Sequence, residues 1–185
     1  MHPNRIHWPT IVAAYGSLFA LGMVDNTRGP LYPSIVSDLS LSDTSGGAIF
    51  AVGCVGTAFG APIFRRLLQY LNLLRATQLG LVLVGLGILG FGWSVTLAQI
   101  LIASALFGIG AGALTLTQNI MVKQASPPER QRQTLAGLHS VYGLASLLTP
   151  LLVVALLGLF SWRTVFALFG ALPLFVALSL FVAPV

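Results

Sequence analysis

The chain has 185 residues, 56% of them hydrophobic and 7% charged, with a formal net charge of +5 and a mean hydropathy of +0.92. A globular domain in water carries about 25% charged residues to wet its surface, so four acidic and nine basic side chains cannot clothe a water-facing body of this size. Lipid is the solvent that suits the composition, which argues against a disordered segment, a nucleic-acid binder or a soluble enzyme.

A helix crosses a hydrocarbon core of ~30 Å with ~20 mostly apolar residues. Trp8 to Val24 is free of charge and runs into Asp25-Asn26-Thr27-Arg28; this predicts a first span at 9–32, ended by Gly29-Pro30 and Pro33. Ser42 or Asp43 is the N-cap of a second span at 44–64. The uncharged run from Ala76 to Val122 would be ~70 Å long as one helix, more than twice the hydrocarbon thickness. It must fold back, and the corner is Trp93-Ser94-Val95-Thr96, where an interfacial aromatic meets poor helix formers. Spans three and four are therefore expected at 74–93 and 97–121. Pro127-Pro128 separates them from a fifth at 134–158, and a sixth follows at 163–183. The expected fold class is an all-α membrane protein, a single bundle of six transmembrane helices over residues 1–185. A cleaved signal peptide is the rival for the first segment, but no A-x-A-like site follows it and a charged stretch does.

Basic residues favour the cytoplasmic side of short loops. With the N-terminus inside, the cytoplasmic segments hold Arg5, Arg65, Arg66, Arg75, Lys123, Arg130 and Arg132, whereas the outer loops hold Arg163 with the acids Asp38 and Asp43. Both termini are expected to face the cytoplasm. Glycines on the second, third and fourth spans, with Gly56 and Gly60 in GxxxG spacing, suit close crossings of helices in lipid.

An ionisable group at membrane depth normally faces a partner or a wet cavity. Asp25 is the only carboxylate within a span, and Arg28 lies three residues on, so the two share a helix face. Asn26 adjoins them; Gln118 and Asn119 close the fourth span, and His139 and Tyr142 lie on the fifth. Polar groups thus concentrate on spans one, four and five. Bland readings compete for each: Asp25 and Arg28 as a mutually neutralising pair, His139 bonded to a backbone carbonyl, Gln118 and Asn119 as interhelical glue, Tyr142 as packing. At 1.5 Å per residue Asp25 and His139 are offset by about 15–20 Å in depth, which disfavours a direct dyad. The single cysteine, Cys54, excludes an internal disulfide. His2, His7 and His139 are scattered, with no HExxH or CxxC spacing, and no glycine-rich loop stands in a strand-to-helix context. No metal, cofactor, nucleotide or catalytic residue is expected.

The six spans, the basic loop after the second and the Pro127-Pro128-Glu129-Arg130 loop after the fourth resemble one half of a major facilitator superfamily transporter. That family carries G-x-L-x-D-R-x-G-R-R after its second helix; here Gly60-Ala61-Pro62-Ile63-Phe64-Arg65-Arg66-Leu67-Leu68-Gln69 keeps Gly60 and Arg65, with Phe64 for the acid and Leu67 for the second glycine. Gly108, Gly110 and Gly112 resemble its R-x-x-x-G-x-G-x-G element, with Ser104 at the arginine position. Leu138 to Ala145 followed by Pro150 is similar to helix five in the N-terminal half of fucose-permease-like members, and Asn119 matches an asparagine there, while Thr115 replaces a carboxylate.

The resemblance implies a subunit of a secondary active transporter that moves a small polar solute, sugar-like or another metabolite, by alternating access in the plasma (inner) membrane. Asp25 is then the candidate for proton or cation coupling, Arg28 would tune it or hold an anionic group, and Asn26, Asn119, His139 and Tyr142 would bond the solute. Gly60, Arg65 and Arg66 would form a cytoplasmic gate loop. The family usually pairs two six-helix halves about an axis along the membrane normal, so a homodimer or a separate second half is expected to close the cavity; a truncated half is the remaining option. Two other readings are a non-transporting assembly or regulatory module and an intramembrane serine protease. The last fares poorly because His139 and Ser140 diverge by ~100° on one helix.

Overall fold

Proline placement decides where the first helix breaks. Pro30 has no N–H for the carbonyl four residues back, that of Asn26, and its ring crowds the same group. In the computed structural model, which describes residues 6–182, helix α1 accordingly runs Trp8–Asp25 and a second helix, α2, runs Arg28–Asp38. This corrects the expected span at 9–32: the prolines do not end it, they interrupt it at Asn26-Thr27, and helix resumes through both of them. Side chains patch the break, Asn26 Nδ2 donating to Gly22 O at 2.8 Å and Thr27 Oγ1 to Val24 O at 2.7 Å. With 18 residues, α1 is ~27 Å long, just short of the hydrocarbon thickness, so α2 is needed to complete the crossing.

Five further helices follow: α3 (Asp43–Leu67), α4 (Leu73–Trp93), α5 (Leu97–Ala125), α6 (Gln131–Leu157, entered through a 3-10 turn at Pro128–Arg130) and α7 (Trp162–Val182). Each of these five is long and apolar enough to cross a membrane. Ser42, Asn72 and Thr96 cap α3, α4 and α5 by accepting from Ser45 N, Arg75 N and Gln99 N at 3.2, 2.8 and 3.3 Å, each meeting one of the unpaired N–H groups of a helix start. Helix α3 extends past the expected boundary at 64 to Leu67, since Arg65, Arg66 and Leu67 are good helix formers. Arg65 and Arg66 therefore sit exposed in its last turn, where cations suit the helix dipole, and not in a loop. Arg5 lies outside the described residues.

Helix α5 is the hub. Its Gly108 and Gly112, one turn apart, face α3, while Gly110 faces α4. The α3–α5 crossing is so close that a methyl at Gly108 would lie 3.0 Å from Gly56 Cα and 3.0 Å from Thr57 N. Ser104 Oγ reinforces it by donating to Ile49 O at 2.5 Å. A buried apolar core of Leu81, Val84, Ile88, Phe107 and the stacked pair Phe91–Phe166, 5.3 Å between centroids, joins α4, α5 and α7. Around the periphery Leu147, Leu151, Val154, Phe175, Leu178 and Phe181 are exposed, the outward apolar surface of a multi-pass membrane protein.

The two ends of the bundle differ in charge. At one, Arg163 Nη1 donates to Ser94 O at 2.6 Å and Gly92 O at 3.1 Å, and Nη2 to Asp38 at 2.8 Å, tying together the ends of α2, α4 and α7. At the other, His7 N bonds Ala125 O at 2.8 Å, in the company of Arg65, Arg66, Arg75, Lys123, Arg130 and Arg132. Helices α3 and α6 each pack chiefly on one neighbour, α5 and α1 respectively. They leave an open face whose floor is α1 and α5.

Candidate functional site

That open face holds a cavity of about 580 Å³. Its end away from the basic end of the bundle is charged. Asp25, the last residue of α1, pairs with Arg28, the first of α2, across the helix break. The other oxygen of Asp25 accepts from Tyr142 Oη of α6 at 2.7 Å. The Arg28 guanidinium lies 4.1 Å above the Phe107 ring and 5.7 Å from that of Phe50, where ring faces attract a cation. One carboxylate thus holds two partners from two other helices, and removing it would leave a largely buried cation unpaired.

Toward the basic end the lining changes to Leu18, Leu21, Ala58 and Ala111, and then to Thr115, Gln118, Asn119 and His139. Gln118 is 1% exposed, and both its amide atoms lack a partner among the described residues. Asn119 Nδ2 donates to Thr115 O of its own helix at 2.7 Å, which leaves its carbonyl oxygen for another group. His139 is exposed at this end.

Five of the six expected binding residues, Asp25, Arg28, Asn119, His139 and Tyr142, therefore line one cavity. Asn26 does not: its amide is turned to Gly22 O and to Ser146 Oγ, at 2.9 Å, where it joins α1 to α6. Tyr142, one turn along α6 from His139, is the residue that reaches Asp25. Gly60, Arg65 and Arg66 stand apart from the cavity; Gly60 is buried against the backbone of Ile109. Ser140 Oγ donates to Ala136 O at 2.9 Å, so it is spent on its own helix instead of being activated by the neighbouring imidazole.

Sequence reasoning missed the contribution of α3, whose Gly53, Cys54, Thr57 and Ala58 line the cavity. The signal was there: four small residues at i, i+1, i+4 and i+5 form a stripe. It was hidden because small stripes in membrane helices usually mean packing, and Gly53 does pack, against Ser104.

The family model of the Major Facilitator Superfamily matches residues 14–185. Among curated proteins, the chain is similar to Multidrug resistance protein 3 of Bacillus subtilis, 32% identical over 77% of this chain and 28% of that protein. It is 24% identical to the 4-hydroxybenzoate transporter PcaK of Pseudomonas aeruginosa, over 94% of this chain and 39% of that one. The Hexuronate transporter of Bacillus subtilis is 31% identical, over 74% and 32% respectively. The chain thus spans less than two-fifths of the length of these relatives.

Proposed function

The chain belongs to the major facilitator superfamily, and we propose that it forms one wall of a secondary transporter in the plasma membrane, with a small solute bound in the cavity between α1, α3, α5 and α6. The observation that carries this reading is the placement of Asp25, Arg28 and Tyr142 in a cavity on the one face of the bundle that α3 and α6 leave uncovered. Charge at membrane depth is costly without a wet or protein surround, so this face calls for a second six-helix unit, either a second copy or a separate half. Parallel halves related by an axis along the membrane normal give alternating access by rocking about the site. In this reading the basic end of the bundle faces the cytoplasm.

Asp25 is the coupling residue in this scheme. Neutralised by a proton or a bound cation it would release Arg28, and ionised it would recapture it. The test is uptake into proteoliposomes under a pH gradient, with 4-hydroxybenzoate and galacturonate as test solutes because two relatives are named for such compounds. Accumulation of either by the unaltered protein, lost in Asp25→Asn, is the expected outcome. Equal accumulation by the variant removes Asp25 from coupling, and single-molecule photobleaching that finds solitary, transporting copies removes the second unit.

A further inference from the structure

The polar capacity of the cavity is unevenly spent, and what is left over describes a solute. At the charged end Asp25 has both oxygens engaged, by Arg28 and Tyr142. Arg28 has five N–H donors; Asp25 takes the bond from Nη2, and the buried Nε has no partner among the described residues. The spare valence there is a donor on a cation, so the matching solute atom is an oxygen acceptor. At the other end Gln118 offers an unpaired N–H donor and an unpaired carbonyl oxygen. Phe107 and Gln118 lie roughly 16 Å apart along α5, and Arg28 sits over the Phe107 ring, so a solute that meets both polar groups is elongated.

Between them the wall is mostly apolar, the Thr57 hydroxyl being bonded to Gly53 O of its own helix at 3.0 Å. A sugar carries hydroxyls around its whole ring, and seated against Leu18, Leu21 and Ala111 it would bury several of them unpaired, each at a cost. A ring or short chain of hydrocarbon meets no such penalty. We propose, resting on the transporter reading above, that the solute is an elongated amphipathic organic acid: its carboxylate on the free edge of Arg28, its flat apolar body over Leu18, Leu21, Ala58 and Ala111, and a terminal hydroxyl paired with Gln118. Asp25 keeps Tyr142 as a partner when a second carboxylate takes the remaining donors of Arg28. Gln118 is then the residue that selects solutes with a polar far end.

Cys54 supplies the reporter, being the single cysteine of the chain, exposed and in the cavity wall. The full chain in nanodiscs is treated with a water-soluble maleimide, and protection of Cys54 is titrated with 3-(4-hydroxyphenyl)propanoate, with 3-phenylpropanoate and with glucose. The hydroxylated acid is expected to protect at roughly tenfold lower concentration than its des-hydroxy analogue, the discrimination of one buried hydrogen bond, and glucose not at all. In Gln118→Met the two acids should become equal, with protection by 3-phenylpropanoate unchanged. Protection by glucose alone, no protection by either acid, or a tenfold preference that survives in Gln118→Met overturns the assignment while leaving a wetted transport cavity in place. A Cys54 that the maleimide does not reach at all removes that cavity, and the transporter reading with it.

Discussion

Gly108→Ala isolates the contact on which the bundle turns. An added Cβ would meet Gly56 Cα at 3.0 Å, Thr57 N at 3.0 Å and the carbonyl oxygen of Gly53 closer still. All three are backbone atoms of α3, so no side chain can rotate away; the helices must separate along the crossing that also holds Ser104 on Ile49. Alanine is intrinsically better than glycine inside a helix by about 0.5–1 kcal/mol, while forcing a methyl into a packed contact costs about 1–3 kcal/mol. With rigid backbone opposite, the cost falls in the upper part of that range, and a net loss of roughly 1–2 kcal/mol is expected, or a melting temperature lower by about 2–8 °C. Thermal melts followed by circular dichroism in nanodiscs give the value. Gly16→Ala is the matched comparison, since a methyl there meets nothing within 4 Å and should be neutral or mildly stabilising. If Gly108→Ala melts at or above the unaltered protein, as Gly16→Ala should, then close approach of α3 and α5 is not what organises the bundle.

Replacing Arg163 by Ala removes two bonds to backbone carbonyls, a half-exposed ion pair with Asp38 and a stack on Trp162 at 4.3 Å. The exposed pair contributes at most about 1 kcal/mol, so the same melts should show a loss of roughly 1–2 kcal/mol, most of it absent from Asp38→Asn. Asn26→Ala deletes the link from α1 to Ser146; an interhelical bond of this kind is worth about 1 kcal/mol, and solute protection of Cys54 should be unchanged because Asn26 does not line the cavity. A loss of protection in Asn26→Ala would place that amide in the binding site after all.

The corner between α4 and α5 was legible because an uncharged run of ~70 Å leaves no alternative to folding back, and Trp93 to Thr96 is the one stretch in it with turn chemistry. The break in the first helix was not, because proline acts on the carbonyl four residues upstream: the residues to inspect were Asn26 and Thr27, not Pro30 itself. The charged part of the cavity could be anticipated from the expense of Asp25 and Arg28 at that depth. The Tyr142 bond to Asp25 could not, since the rotation of α6 about α1 is set by Ala145 and Tyr142 meeting Gly22, a contact with no signature in either helix alone. Gln118 looks like ordinary interhelical glue in the sequence; only its lack of a partner distinguishes it.

Asp25 closes one helical segment and Arg28 opens the next, so their attraction works as a strut across a joint. The joint itself is weakly made, because the Asn26 carbonyl receives no backbone N–H from Pro30. Whatever competes for either charge also slackens the strut, turning an event of chemistry into a change of bend. The far tip of α2 is tethered through Asp38 to Arg163, so such flexing would be felt where α4 and α7 meet at that end of the bundle.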